Sequence, residues 1–221
     1  MRNSYKHIIF YTIALPMLLS FICIGANAQT DWHLKKDEDG IKVFTANSDN
    51  SNFKTIKVEC TVKATPSQLI ALLVDVDRQH EWVYNSKSGT LLKMVKPNEF
   101  IFYSQVDVPW PCTDRDYIAH ITVNQPSPEL ITIDSHSEPD MVSAKEGKVR
   151  VRKSSAHWDV TTLSKDLLKI VYTVSFDPAG SVPAWLTNMF VTKGPFQTFQ
   201  NLRDKVSLPA YKNAHFDFIK D

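Results

Sequence analysis

Glycine is scarce in this chain: six occur in 221 residues. None falls in a cluster that would bring several backbone amides onto a phosphate, which excludes a P-loop and a dinucleotide-binding fingerprint. An excess of either charge is also missing. Twenty-five Lys and Arg stand against 24 Asp and Glu, so no field exists to collect a polyanion by counterion release, and no nucleic-acid partner is expected. Cysteine is rare, at three, and neither HExxH nor a paired CxxC is present, which removes the common zinc signatures. Asp77, His80 and Glu81 share a helical spacing, but Arg78 and Trp82 beside them mark a solvated helix end, and no metal is expected. Ser135 is next to His136, yet neighbours on a strand point to opposite faces and do not pair. His33, His80, His120, His157 and His215 are scattered. No catalytic constellation is present.

What is present begins with an address. Arg2 and Lys6 precede an uncharged apolar run from Ile8 to Ile24, and Ala26-Asn27-Ala28 supplies a small-x-small cleavage site. Residues 1–28 therefore read as a cleaved signal peptide, and the protein as periplasmic or secreted. Pro16 and the cleavage site argue against an uncleaved anchor. Cys60 and Cys112 remain, in a compartment where bridges form. Cys60, however, sits on the apolar side of an alternating strand and reads as a small buried hydrophobe, so a bridge is the less favoured alternative.

Across Phe53–Lys63, Ile56, Val58, Cys60 and Val62 alternate with Thr55, Lys57, Glu59 and Thr61, the pattern of a half-buried strand. A shorter β segment, Gly40–Thr45, and the polar turn Asn47–Asn52 precede it. Thr65 as N-cap and Pro66 in the first turn open a helix with Leu69, Leu72, Leu73 and Val76 on one face. From Gly89 to about Leu168 no helical period persists. Strands are expected at Thr90–Lys96, Glu99–Val108, Arg115–Asn124, Leu130–Ser137 and Val149–Thr161, then at Leu167–Phe176, and their short connections favour an antiparallel sheet. Asp177-Pro178-Ala179-Gly180 turns into a long final helix capped by Ser181. Its apolar stripe runs through Val182, Trp185, Leu186, Met189 and Phe190 to Phe196, Phe199, Leu202 and Val206. Gly194-Pro195 is expected to bend that helix. No linker divides residues 29–208, so one α+β domain is expected, followed by a tail over 209–221 that is either disordered or folded back.

Four segments carry a resemblance. Trp32 with Asp39-Gly40-Ile41-Lys42-Val43-Phe44, Asp75-Val76-Asp77-Arg78 with Trp82, Val108-Pro109-Trp110-Pro111 leading to Asp114-Arg115-Asp116-Tyr117, and the run from Asp177 to Asn188 resemble the START family of steroidogenic acute regulatory protein-related lipid-transfer domains. The resemblance spans roughly residues 31 to 207. It implies a helix-grip fold, in which a curved antiparallel sheet wraps a long C-terminal helix around an internal apolar tunnel. It implies one sterol, phospholipid, ceramide or related molecule in that tunnel, a loop and the last helix as lid, and neither cofactor nor catalysis. The expected partners are a lipid or other hydrophobic small molecule and a transient membrane contact, with the protein a monomer. The wider helix-grip superfamily also includes aromatases, cyclases and hydrolases, so an enzyme using the same cavity is the alternative.

Under the resemblance, the ligand-facing candidates are Phe100, Phe102, Tyr117 and Ile121 on strands, Trp158 and Tyr172 as walls with a polar tip, and Trp185, Leu186, Met189 and Phe190 on the last helix. An ordinary core would use the same residues. Some family members place a buried acid and arginine at positions that fall on Phe102 and Ile121, and both are apolar here, which favours steric selection over an ion-pair anchor. Arg115 and Asp116 match the family pattern and read as structural, fixing the Pro-rich turn before them by charge-assisted hydrogen bonds. Pro109, Trp110 and Pro111 read as a rim.

Overall fold

Alternating apolar and polar side chains build the sheet in the computed structural model, which describes residues 30–48, 51–180 and 183–221, leaving aside the side chains of 48, 51–53, 184 and 185. The signal peptide expected over 1–28 and the cap expected at Ser181, with Val182, lie outside the described residues. Ten strands occur among the described residues: β1 His33–Glu38, β2 Ile41–Ser48, β3 Ser51–Val62, β4 Ser86–Lys96, β5 Glu99–Val106, β6 Asp114–Ser127, β7 Leu130–Ser137, β8 Lys148–Arg150, β9 Lys153–Ser164 and β10 Leu167–Asp177. They form one curved sheet in the order β1-β2-β3-β10-β9-β7-β6-β5-β4. Every pair along that path is antiparallel, and β8 runs parallel to β6 at its edge. In β3, Ile56, Val58, Cys60 and Val62 are buried, while Lys57 and Glu59 pair at 2.7 Å on the other face.

Helix α1, Pro66–Val74, starts where its capping box forms: the Thr65 hydroxyl accepts from the Gln68 amide, and the Gln68 side chain accepts from the Thr65 amide. Its apolar face buries Leu69, Ile70 and Leu72. A 3₁₀ segment, Val76–Glu81, follows. The C-terminal helix comes in three parts: α2 Ala184–Asn188, a π turn Met189–Lys193, and α3 Gly194–Val206. The bend expected at Gly194-Pro195 therefore takes the form of a π turn. Pro195 has no amide to donate, and the chain accommodates this by widening the turn before it, so that the Gly194 amide reaches the Met189 carbonyl.

Three elements depart from the expected pattern, each for a physical reason. β1 is an exposed edge strand whose HLKKDE sequence carries no apolar alternation. Gly89, expected before the strand, lies inside β4, because a Cβ there would stand 2.0 Å from the Val76 carbonyl oxygen; the glycine permits close approach and does not break the strand. The strand expected over Val149–Thr161 divides at Val151, whose amide donates to the Asp116 carbonyl; the chain leaves β6 there and joins β7 and β10.

The core is solid at one end and hollow at the other. Leu168 and Ile170 at the start of β10 are fully buried and pack with α1, Leu202 and Val206, whereas Tyr172, Val174 and Phe176 further along the same face are half-buried. The tail folds back over the solid end. Tyr211 and Ile219 are buried in the core, the Tyr211 hydroxyl donates to Asp75 at 2.9 Å, and Asp221 Oδ1 accepts from the Ser67 amide at 2.7 Å, satisfying an orphan donor of α1. Deleting residues 210–221 is expected to lower unfolding stability by roughly 3–5 kcal/mol, the worth of two large buried side chains. An unchanged urea midpoint would show that the tail contributes nothing.

Candidate functional site

The half-buried stretch of β10 faces a cavity of about 300 Å³, within the size range of small-molecule sites. Most of its lining follows the period of two expected for one sheet face: Phe102 and Val106 from β5; Arg115, Tyr117, Ala119 and Ile121 from β6; Ile133, Ser135 and Ser137 from β7; Ser154, Ala156 and Trp158 from β9; Tyr172, Val174 and Phe176 from β10, with Ile118 and His136 bordering it from between the inward positions. Leu73 and the segment from Trp82 to Asn85 close one side, and Phe190, Gly194, Pro195, Thr198 and Phe199 of the C-terminal helix close another.

Side-chain size explains why room remains. Trp158, Tyr172 and Phe199 meet with ring centroids 4.6 to 5.4 Å apart and form a floor against the solid core. Beyond that floor, the inward positions on β7 and β9 are Ser135, Ser137, Ser154 and Ala156, too small to reach the helix. Phe176 and Phe190 meet edge to face at 6.0 Å, joining the sheet to the π turn. The Tyr84 amide donates to Thr198 Oγ1 at 3.0 Å, and Tyr84 packs so closely on Gly194 that a Cβ there would come within 3.3 Å of its ring.

Of the candidates named from the sequence, Phe102, Tyr117, Ile121, Trp158, Tyr172 and Phe190 come together on this lining. Phe100 does not; it packs with Val76, Phe102 and Ala119 in a separate cluster under the 3₁₀ segment. Leu186 is fully buried off the lining and Met189 is half-buried off it, because the π turn changes the angular period on which the apolar stripe was drawn. The Trp185 side chain lies outside the described residues. The small inward residues of β7 and β9 carried a signal of their own, a run of Ser and Ala at alternate positions.

The polar groups of the lining are few. The Gln79 amide donates to the Tyr117 hydroxyl at 3.3 Å, and burial pushes the phenols of Tyr117 and Tyr172 up from their ordinary range. Gln79 Oε1 and Trp82 Nε1 are buried without a partner among the described residues. Arg115 is only 4% exposed. Its guanidinium donates to the Thr113 carbonyl and to the Pro178 and Ala179 carbonyls at 3.3 Å each, with no carboxylate partner among the described residues. It thereby holds a turn in which Ala179 adopts a left-handed φ of 55°.

Asp116 points to the other face of β6, and its partners are Arg150 at 2.8 Å and Tyr103 at 3.1 Å. The expectation that Asp116 fixes the Pro-rich turn is corrected: Asp114 does so, accepting from the Val108 amide at 3.1 Å, because it stands at the start of β6, one residue before the pairing with β5 begins at Arg115. Cys60 and Cys112 are both free, and burial pushes the Cys60 thiol up to about 11, where it is unreactive.

Comparison with known proteins gives a consistent set of relatives. A family model described as START domain matches residues 25–209. An uncharacterized protein of Pseudomonas aeruginosa is 31% identical over 173 residues, covering 78% of this chain and 85% of that protein. The phosphatidylcholine transfer protein of Homo sapiens is 23% identical, covering 76% of this chain and 80% of its own length. Among solved structures, the STAR-related lipid transfer protein fragment of Xanthomonas axonopodis is 29% identical with a TM-score of 0.73, covering 80% of this chain and 99% of that one. Human StAR-related lipid transfer protein 5 shares the fold at 15% identity and a TM-score of 0.67, covering 90% of this chain and 95% of its own.

Proposed function

The chain belongs to the START domain family, and on that premise we propose that it binds a single hydrophobic molecule, a lipid or sterol-like compound, in an enclosed apolar tunnel and transfers it between membranes. The observation that carries the reading is the cavity itself, floored by Trp158, Tyr172 and Phe199 and left open by the small residues beyond them. Enclosing an acyl chain is worth on the order of 0.8 kcal/mol per methylene, so ten methylenes supply roughly 8 kcal/mol before the costs of ordering the ligand. Arg115 refines the choice. A buried guanidinium that meets only carbonyl oxygens favours a ligand with an acidic group at that end of the tunnel.

Binding without catalysis is favoured over a helix-grip enzyme. The ionisable side chains turned toward the cavity are Arg115, Tyr84, Tyr117 and Tyr172; His136 borders it, with its exposed ring beside His120 on the other face of the sheet, and no two of these groups are hydrogen-bonded to each other among the described residues, whereas acid–base chemistry needs convergent pairs. Export to the periplasm or beyond fits a carrier that works between membranes. Trp110, 91% exposed, sits on the loop between Val106 and Arg115, both on the lining, where an aromatic suits a membrane interface. Trp110→Ala is expected to slow ligand exchange with vesicles several-fold while the bound ligand content stays the same; equal exchange rates would remove the loop from the membrane contact.

Native mass spectrometry of protein purified without detergent tests the binding reading. We expect one co-purifying molecule of a few hundred daltons, carrying an acidic group. An empty protein that also fails to take up lipid from vesicles would sink the proposal, and a neutral ligand would sink the part assigned to Arg115.

A further inference from the structure

On the face of the sheet opposite the cavity, antiparallel pairing sets His120 of β6 directly across from His136 of β7, with ring centroids 4.8 Å apart. Glu138 follows His136 by two residues and returns to the same side. We propose that His120, His136 and Glu138 form a site for one late first-row divalent cation, with zinc as the best fit.

Geometry comes first. Glu138 Oε1 lies 3.5 Å from His120 Nδ1 and 3.3 Å from His136 Nε2, and the three ligand atoms all fall within 4.8 Å of one another. Tetrahedral zinc with ligands at about 2.0–2.2 Å requires ligand atoms about 3.4 Å apart. Two edges of that tetrahedron are thus already in place, and the exposed His136 ring closes the third by rotating.

The surroundings suit a ligand. His120 Nε2 faces Glu99 Oε1 at 2.8 Å, and Lys96 holds the other Glu99 oxygen at 2.7 Å. Donating its Nε2 hydrogen to Glu99, a neutral His120 aims the lone pair of Nδ1 at Glu138. In that orientation one cation can bridge Nδ1 and the Glu138 carboxylate. A carboxylate behind the far nitrogen of a ligating histidine is also the outer support that metal-bound imidazoles use.

Donor chemistry selects the ion. Two imidazoles and one carboxylate suit zinc and its transition-metal neighbours, whereas magnesium and calcium require oxygen ligands. Water would take the fourth position. Ser135 and Ser137, which flank His136, line the cavity on the inner face, so the ion would clamp β6 to β7 behind the tunnel wall without entering it. The site stands independently of the lipid-binding reading.

Calorimetric titration of the untagged, chelator-treated chain with zinc chloride tests the site. We expect one equivalent bound with a micromolar or tighter dissociation constant, and no heat from magnesium or calcium. His136→Gln, a change at an exposed position, is expected to weaken binding at least about tenfold, and Glu99→Gln by roughly 10- to 100-fold, with circular dichroism unchanged in both. Cobalt in place of zinc should give a tetrahedral visible spectrum that His136→Gln abolishes. Absence of stoichiometric zinc uptake, or equal affinity in wild type and in a His120→Gln/His136→Gln double variant, overturns the site.

Discussion

Arg150→Ala is expected to destabilise the fold by about 3–5 kcal/mol, the cost of leaving a buried charge without its partner. Arg150 and Asp116 are both buried. The guanidinium forks onto the carboxylate at 2.8 and 3.0 Å, and Tyr103 adds a third bond to it. The same guanidinium donates to the carbonyls of Pro139, Val142 and Ser143, so one side chain fixes the loop before β8 and the small cluster of Ile101, Tyr103 and Ile118 on the outer face. Replacing both partners, Arg150→Met with Asp116→Leu, is expected to cost less than Arg150→Ala alone, because no charge is then stranded. Urea denaturation of the two variants and wild type checks the order; an Arg150→Ala protein within about 1 kcal/mol of wild type contradicts it.

The same pair gives a pH dependence. Burial pushes the Asp116 carboxyl up, but the Arg150 fork and the Tyr103 hydroxyl outweigh that and hold it below the ordinary carboxylate range. A group depressed in the folded state contributes stability that is fully present above its unfolded value, near about 3.9, and is lost as pH falls through the folded one. Wild type should therefore lose this contribution in acid, and Arg150→Ala should lose less. Parallel acid-unfolding curves for the two would show that the ion pair does not act through Asp116.

Ala156→Phe is expected to abolish ligand co-purification and weaken ligand uptake at least about tenfold, some 1.4 kcal/mol, while leaving the thermal midpoint unchanged or raised. The reason is positional. Ala156 faces the cavity, so a phenyl ring there fills open room and gains apolar contact. Val160, four residues along the same face of β9, is fully buried in the solid core, and Val160→Phe is expected to cost about 1–3 kcal/mol by overpacking. Identical destabilisation at the two positions would mean that the interior is equally filled at both.

Much of the architecture is legible from local pattern. The alternation across β3, the Thr65-Pro66 start of α1 and the apolar face of β10 each express one period and one burial demand, and these survive in the fold. Elements fixed by contacts distant in sequence are not legible. Gly89 lies just outside the strand expected from Thr90 until the Val76 carbonyl is placed against it, and the tail reads two ways until Tyr211 meets Asp75 and Asp221 meets Ser67. The division of β8 from β9 depends on Asp116, far back in the chain. The candidate site follows the same rule. Large aromatics such as Trp158 and Tyr172 announce themselves, but the room they border depends on Ser135, Ser137, Ser154 and Ala156, whose smallness means a void only once the register stacks them on one face. His120 reads as scattered, and His136 as a mere neighbour of Ser135, for the same reason, since only strand pairing brings the two histidines together.

The central claim is unfilled apolar space between the sheet and the C-terminal helix, and diffraction from crystals pressurised with xenon measures it directly, because dry apolar cavities bind that gas. The account expects xenon beside Phe102, Tyr117, Trp158, Tyr172 and Phe199, or continuous density for a retained ligand in the same place. Side chains meeting across that space, with neither xenon nor ligand between them, would contradict it.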